Sequence, residues 1–179
     1  MKTDVVIVGG GPAGTATALF LEQHGIQSTI VEKEHFPRFH IGESLTGEGS
    51  RALRDLGLED QMIAAGCPIK YATIVHGDKR DHFEIRVMAR SPENKLQDSS
   101  TWQVRRSTFD KMLLETAVER GSKLVNGKAI KTLYGENNDI KGIQVRTTDS
   151  CLQEIPAKVV VDASGSATFL AKSGCTSKK

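Results

Sequence analysis

Residues 4–32 read DVVIVGGGPAGTATALFLEQHGIQSTIVE, and this stretch predicts the fold of the chain. Val5–Val8 is a β-branched run typical of a buried parallel strand. The pattern G-x-G-x-x-G follows at once, with Gly9, Gly11 and Gly14. Apolar residues then keep helical spacing to about His24, and residues 26–31 indicate a second strand. The sequence therefore predicts a Rossmann-type βαβ unit.

The glycine pattern has a physical reason in dinucleotide binding. The first glycine makes the tight strand-to-helix turn, the second lets the backbone approach a pyrophosphate, and the third lets helix and strand pack closely. The helix N-terminus supplies N–H groups for the phosphates. Glu32 lies about 20 residues further on, where a carboxylate accepts hydrogen bonds from a ribose 2′-hydroxyl. An acidic residue here favours NAD or FAD over NADP; the alternative is a Gly-rich turn without a ligand.

The segment after the second strand, HFPRFHIGESL at residues 35–45, is too polar for a core strand and too rich in Gly and Pro for a helix. A dinucleotide extending from the first helix needs protein groups along its far half. Backbone amides around Gly42 can cap the polar edge of a flavin ring, and Arg38 can neutralise phosphate or ribityl oxygens. The alternative is a solvated surface loop, which suits His40 in particular.

Composition narrows the functional class. The 179 residues are 38% hydrophobic and contain 24 Lys and Arg against 22 Asp and Glu, which argues against a nucleic-acid binder. Cys67, Cys151 and Cys175 are scattered without metal-ligand spacing, as in a reducing compartment, so we expect no metal site. The apolar runs are too short for a membrane span or signal peptide. These features predict a cytoplasmic protein.

The rest of the chain completes an α/β fold. We expect two short helices in residues 47–66 broken at Gly57, antiparallel strands at 69–76 and 82–89, and a polar loop at 91–100. A helix is predicted at 107–120, with Ser107 as N-cap and Asp110 at its third position, followed by β-hairpins and a closing strand in AKVVVDASG at residues 157–165. One FAD-binding domain over residues 1–179, with an antiparallel β insertion around 67–105, is the predicted organisation.

Four segments carry a family resemblance: GGGPAG, VEKEHFPRFHIGESL, WQVRRSTFDKMLLETA and VVVDASG. In this order they resemble the flavin-dependent halogenases, especially the branch acting on phenols and pyrroles. The resemblance implies a p-hydroxybenzoate hydroxylase-like fold, in which a Rossmann-type parallel sheet binds FAD and carries an antiparallel β insert. It also implies an aromatic substrate, free or tethered to a carrier protein, and a partner flavin reductase.

The resemblance assigns roles to individual residues. The cofactor-binding candidates it implies are Gly9, Gly10, Gly11, Ala13, Gly14, Glu32, Lys33, Arg38, Ile41, Gly42, Glu43, Arg106 and Asp162. In the family pattern Arg106 approaches the FAD phosphates, residues 41–44 lie beside the isoalloxazine ring, and Asp162 closes the nucleotide sheet near the cofactor.

The resemblance also implies a catalytic lysine, which binds the hypohalous acid by a hydrogen bond or as a chloramine. Lys70 in GCPIKYATIVHG occupies a matching strand-like position, and partial desolvation there is expected to lower its pKa. The family often has Gly-Phe where this chain has Gly66-Cys67. A strand lysine facing solvent is the alternative, and Lys79, in a predicted hairpin turn, is a second candidate.

The family's W-x-W-x-I-P signature does not occur in these 179 residues. Because the family's later motifs lie beyond this point, the resemblance implies either a truncated chain or a naturally short gene, and in both cases these 179 residues alone are not expected to be active. Two other functions stay open: an FAD-dependent monooxygenase or geranylgeranyl-reductase-like oxidoreductase, and a non-catalytic dinucleotide-binding module.

Overall fold

The computed structural model describes residues 3–78 and 81–174, which form two compact units. The first unit comprises residues up to 38 and from 110 onward, and the second comprises residues 39–109. Within the described ranges, no helix is long and apolar enough to cross a membrane.

Five strands of the first unit close into a ring in the order β1-β11-β10-β9-β2. They are β1 Thr3–Val8, β2 Ser28–Glu32, β9 Lys123–Tyr134, β10 Ile140–Thr147 and β11 Leu152–Asp162. Strand β1 lies parallel to β2 and β11, and β2 lies parallel to the start of β9. Strand β10 pairs antiparallel with the remaining parts of β9 and β11, so each of these long strands serves both kinds of pairing. The predicted α/β class with parallel and antiparallel sheet is confirmed.

The core of the first unit explains the apolar run at the start of the chain. Val6 and Val8 of β1 pack with Val31 of β2 and with the buried side chains of β10 and β11. Both faces of β1 are covered, since Val5, Val6, Ile7 and Val8 are all buried. A strand buried on both faces is apolar at every position, as Val5–Val8 predicted.

The helices of the first unit begin and end near their predicted bounds. Helix α1 spans Pro12–Gln23, and Gly25 follows it with a φ of +69°, where glycine is favoured. Helix α4 spans Arg106–Glu119, and its part from Asp110 onward belongs to this unit. The Arg105 carbonyl accepts the N–H of Phe109, which makes Arg105 the N-cap. The prediction of Ser107 as N-cap is wrong, because Ser107 already lies in the first turn. A 3-10 turn, Gly165–Ala167, and α5, Phe169–Lys172, follow β11.

Besides the start of α4, residues 39–78 and 81–109 of the second unit form two helices and three small two-stranded sheets. Helices α2 Gly47–Asp55 and α3 Glu59–Ala64 flank Gly57, which has a φ of +66°, so the predicted break is confirmed. The sheets pair β3 Ile69–Lys70 with β8 Thr101–Trp102, β4 Ala72–His76 with β5 His82–Arg86, and β6 Met88–Arg90 with β7 Leu96–Asp98.

The strand predictions in this unit need three corrections. The run 69–76 is interrupted at Tyr71, and the run 82–89 is interrupted at Val87, whose N–H donates to the Tyr71 carbonyl at 2.8 Å. The predicted loop 91–100 contains β7. A tight turn at residues 91–95, with Asn94 at a φ of +63°, closes the β6–β7 hairpin. Its polar composition reflects an exposed edge, since all of β7 is exposed.

Candidate cofactor and active site

Two glycines of the β1–α1 turn are required by the fold itself. Gly9 has a φ of +111°, and a Cβ there would lie 2.3 Å from the Ala163 carbonyl oxygen. A Cβ on Gly14 would lie 1.9 Å from the carbonyl oxygen of Gly9. Both distances are impossible for a real side chain, so these glycines permit the close packing of strand, turn and helix.

Gly11 behaves differently from its two neighbours. It is the N-cap of α1 in extended backbone geometry, with a φ of −74°, so its conformation suits any residue. The nearest described atom to an added Cβ is Arg38 Nη2, at an ordinary contact distance of 3.6 Å. The fold therefore has no need for glycine here. The feature that glycine preserves is open space at the helix N-terminus, where Ala13 is exposed in the first turn.

Glu32 connects the glycine turn to the segment after β2. Its Oε2 accepts the N–H of Gly10 at 2.6 Å, and its Oε1 accepts the N–H of Glu34 at 2.8 Å. The residue is only 5% exposed, so these two donors stabilise a buried carboxylate at the carboxyl end of β2. Each oxygen keeps a lone pair for a further donor. Lys33 points outward and forms an exposed ion pair with Glu34.

Arg38 is held beside the helix N-terminus by three groups. Its Nη2 lies 3.6 Å from Oδ2 of Asp110. Its Nε lies 3.1 Å from Oε2 of Glu34, outside hydrogen-bonding geometry, and its guanidinium stacks 4.8 Å from the centre of the Phe36 ring. The side chain is 15% exposed, so a positive charge is fixed close to Gly11.

Asp110 is a residue whose contribution the sequence did not reveal. Its position in the first turn of a helix suggested a local capping role. The structure buries its side chain completely and pairs it with Arg38, which lies 72 positions earlier in the chain. No local pattern reports such a distant pair; the signal available was an acidic residue on an otherwise apolar helix face.

We expect Asp110→Ala to lower the free energy of unfolding by about 3 kcal/mol, because it leaves the Arg38 charge without its buried counter-ion. Urea denaturation followed by circular dichroism measures this change. Lys111→Ala is the matched control on the same helix: its exposed ion pair with Glu115 predicts a change below about 1 kcal/mol. An equally small change in Asp110→Ala would show that the buried pair contributes nothing to stability.

Asp162 ends β11 beside Val8, its parallel partner on β1. Its Oδ1 accepts the N–H and the hydroxyl of Ser164, and its Oδ2 accepts the N–H of Leu170 at 2.8 Å. Burial acts to raise the pKa of the Asp162 carboxyl, but the hydrogen bonds from Ser164 and Leu170 outweigh it and lower the pKa. The carboxylate therefore stays charged and fixes the turn that carries Ala163 to Gly9.

In the second unit, Arg106 fixes the loop at residues 39–45. Its Nη1 donates to the carbonyl of Ile41 at 2.8 Å. Gly42 follows with a φ of +91°, and an added Cβ would lie 3.4 Å from the same nitrogen. The Ile41 side chain is 73% exposed, and the carbonyl of Glu43 accepts the N–H of Val104 at 2.7 Å. Arg106 thus shapes the turn that presents Ile41 and Gly42.

Lys70 lies on β3 opposite Thr101 of β8 and is half-buried. Its Nζ donates to Oγ of Ser44 and lies 3.5 Å from the carbonyl oxygen of Leu45. The amine therefore contacts the Gly-Glu-Ser segment, in an exposed position at the surface of the unit. Lys79, the second candidate, lies outside the described residues.

The residues of the first unit fit an extended dinucleotide. The turn leaves room above α1 at Gly11, a guanidinium faces that room, and a buried carboxylate with spare lone pairs ends β2. The N–H groups at the helix N-terminus and the Arg38 guanidinium can bind a pyrophosphate, and the Glu32 carboxylate can accept a hydrogen bond from a ribose hydroxyl.

Comparison with known proteins agrees with this geometry. A family model described as "FAD binding domain" matches residues 2–175. A 1H-pyrrole-2-carbonyl-[peptidyl-carrier protein] brominase of Pseudoalteromonas luteoviolacea is 39% identical over 98% of this chain and 41% of its own length. The chain thus spans about two-fifths of this curated relative.

Solved structures give the same result. The flavin-dependent brominase Bmp2 superposes with a TM-score of 0.84 at 38% identity, over 97% of this chain and 41% of that one. A geranylgeranyl bacteriochlorophyll reductase-like protein from Thermoplasma acidophilum, at 21% identity and a TM-score of 0.74, shares the fold over 97% of this chain and 42% of its own. The resemblance to flavin-dependent halogenases is confirmed, FAD is the cofactor, and the chain belongs to the FAD-binding domain family.

Proposed function

We propose that the protein is a flavin-dependent halogenase that acts on an aromatic substrate, phenolic or pyrrolic, through hypohalous acid. The observation that carries the proposal is Lys70, a half-buried residue whose amine donates to Ser44 Oγ in an exposed contact and lies 3.5 Å from the Leu45 carbonyl oxygen. Flavin-dependent chemistry alone does not need this amine, whereas transfer of an electrophilic halogen to carbon needs a group that captures the oxidant.

The first unit supplies the cofactor site in this proposal. The N–H groups around Gly11 and the Arg38 guanidinium bind the pyrophosphate, and Glu32 accepts the ribose hydroxyl. Arg106 positions Ile41 and Gly42 along the flavin half. Bound FAD, once reduced, supplies the oxygen-dependent chemistry that converts halide into hypohalous acid.

Lys70 then captures the hypohalous acid. Two forms of capture balance chemically: the ammonium donates a hydrogen bond to the oxidant, or the neutral amine replaces one N–H bond by an N–halogen bond and releases water. In either form the halogen passes to the ring carbon, and a ring proton leaves. Capture keeps the oxidant from diffusing away and fixes the position at which the ring is attacked.

The partners follow from the same proposal. A flavin reductase supplies reduced flavin, and the substrate is an aromatic molecule, free or tethered to a carrier protein as in the name of the brominase relative. The free thiols of Cys67 and Cys151 support the prediction of a reducing, cytoplasmic environment.

Glu32→Ala is expected to weaken FAD binding by about 1–3 kcal/mol, or roughly fivefold to 150-fold in Kd, because a charged acceptor is removed. The substitution also leaves the N–H groups of Gly10 and Glu34 without their acceptor, so the unfolding of the apoprotein is measured in parallel. Glu32→Gln, which keeps one oxygen acceptor, should fall between the variant and the parent. An unchanged Kd in a fluorescence titration of Glu32→Ala would place the ribose elsewhere.

The function is tested by assay of the protein with each possible electron source. With a flavin reductase, FAD, NADH, oxygen and bromide or chloride, we expect a mass shift of one halogen on a pyrrolyl carrier protein or a phenol. Without the flavin reductase, the protein should not oxidise NADPH. Hydroxylated product with NADPH alone would establish a monooxygenase. Failure to bind FAD would leave a dinucleotide-binding module.

A further inference from the structure

Within the second unit, three chain segments lie side by side: β3, β8 and the segment at residues 44–45. The Lys70 amine extends from the first of these segments to the third. On one side of β8, the N–H of Leu45 donates to the Trp102 carbonyl at 3.2 Å, and Ser44 forms an isolated antiparallel β-bridge with Gln103. On the other side, the N–H of Gln103 donates to the Pro68 carbonyl at 2.9 Å, next to β3. Lys70 starts on β3, and its Nζ ends at Ser44 Oγ.

The residue opposite Lys70 is committed to other partners. Thr101 is fully buried, and its Oγ1 donates to the Thr46 carbonyl at 3.0 Å and lies 2.5 Å from Ser50 Oγ. Its hydroxyl is thus directed into the unit. Lys70 instead turns to the exposed Ser44, so the lysine and the serine form a separate polar pair at the surface.

We infer that Ser44 is a positioning residue for Lys70. The inference rests on the proposed function, since it assigns a role to the partner of the proposed catalytic amine. A hydroxyl is both a donor and an acceptor, so Ser44 can accept from the ammonium and donate to the neutral amine. The Leu45 carbonyl only accepts, and therefore serves only N–H donors.

This difference decides which residue matters for capture of the oxidant. The lysine side chain has a flexible four-carbon stem, and fixing it costs conformational entropy. Ser44 keeps the nitrogen in one place while it gains or loses a proton or a halogen. Loss of the hydroxyl should free the amine from this hydrogen bond and so increase its reaction with an external electrophile.

The test is competitive acetylation of the protein with acetic anhydride over a range of pH, with each lysine followed by peptide mass spectrometry. Ser44→Val and Ser44→Thr form a matched pair of similar shape, of which only the second keeps a hydroxyl. We expect Lys70 to be acetylated about threefold to tenfold faster in Ser44→Val and Ser44→Ala than in the parent. In Ser44→Thr the rate should stay within about twofold of the parent, and Lys111 should be unchanged in all variants.

Two results would overturn the inference: an unchanged Lys70 rate in Ser44→Val and Ser44→Ala, or equal changes in the Val and Thr variants. The labelling measures the amine without any turnover, so it is independent of the proposed halogenation. Product formation is measured on the same variants. Halogenation by Lys70→Ala would refute the proposed function, whatever the labelling of the Ser44 variants shows. Faster labelling of Lys70 in Ser44→Val together with halogenation at the parent rate would refute positioning by Ser44.

Discussion

Gly11→Ala is expected to abolish FAD binding while the apoprotein stays folded. The backbone of Gly11 suits any residue, and the nearest described atom to the new methyl group is 3.6 Å away, at Arg38 Nη2. The methyl group would instead fill the space at the N-terminus of α1, where the pyrophosphate must approach the backbone. The loss therefore falls on the cofactor and not on the fold.

Gly14→Val separates this effect from a packing effect. Its Cβ would lie 1.9 Å from the Gly9 carbonyl oxygen, so α1 has to move away from the turn. We expect loss of FAD together with a lower melting temperature, whereas Gly11→Ala should melt like the parent. Gly77→Ala is the control in an exposed loop, with its nearest contact at 3.5 Å.

Flavin absorbance per mole of purified protein and a fluorescence titration with FAD measure both variants. Stoichiometric flavin in Gly11→Ala would contradict the assignment of the turn as the pyrophosphate site. A folded, flavin-loaded Gly14→Val would contradict the packing distances as well.

The features of the fold that could be predicted are those specified by neighbouring residues in the sequence. A β-branched run, three glycines and helical spacing predict β1, the turn and α1 because each signal lies within a few residues of the structure that it specifies. Glu32 could be singled out in the same way, since its distance from the glycines follows from the length of one βαβ unit.

Features built by distant pairing could not be predicted. The ring closes because β9 and β11 are long enough to pair with different partners at their two ends, and nothing in KLVNGKAIKTLY marks the change. The Arg38–Asp110 pair and the Arg106–Ile41 hydrogen bond join residues that are far apart in the chain. Strand β7 was hidden because an exposed edge strand has the composition of a loop.

Lys70→Ala is expected to eliminate halogenated product while FAD binding is kept. The lysine lies in the second unit and contacts Ser44 and Leu45, whereas the glycine turn, Glu32 and Arg38 belong to the first unit. Removal of the amine leaves these groups intact but removes the site of capture. Lys70→Arg should also fail where capture forms an N–halogen bond, because a guanidinium keeps its proton and cannot form this bond by loss of one. Product formation by the Arg variant would instead favour capture by a hydrogen bond.

The controls separate capture of the oxidant from folding. Lys111→Ala removes an exposed lysine of α4 and should halogenate at the parent rate. Lys79→Ala tests the second candidate lysine directly. Loss of bound FAD in Lys70→Ala would contradict this expectation and give the lysine a structural role.

The most direct measurement is a parallel record of oxygen uptake and product mass for the protein and its Lys70→Ala variant, with reduced FAD, halide and aromatic substrate supplied. Capture of hypohalous acid by Lys70 predicts continued oxygen uptake with free oxidant released and no halogenated product from the variant. Halogenated product from Lys70→Ala at close to the parent rate would contradict it.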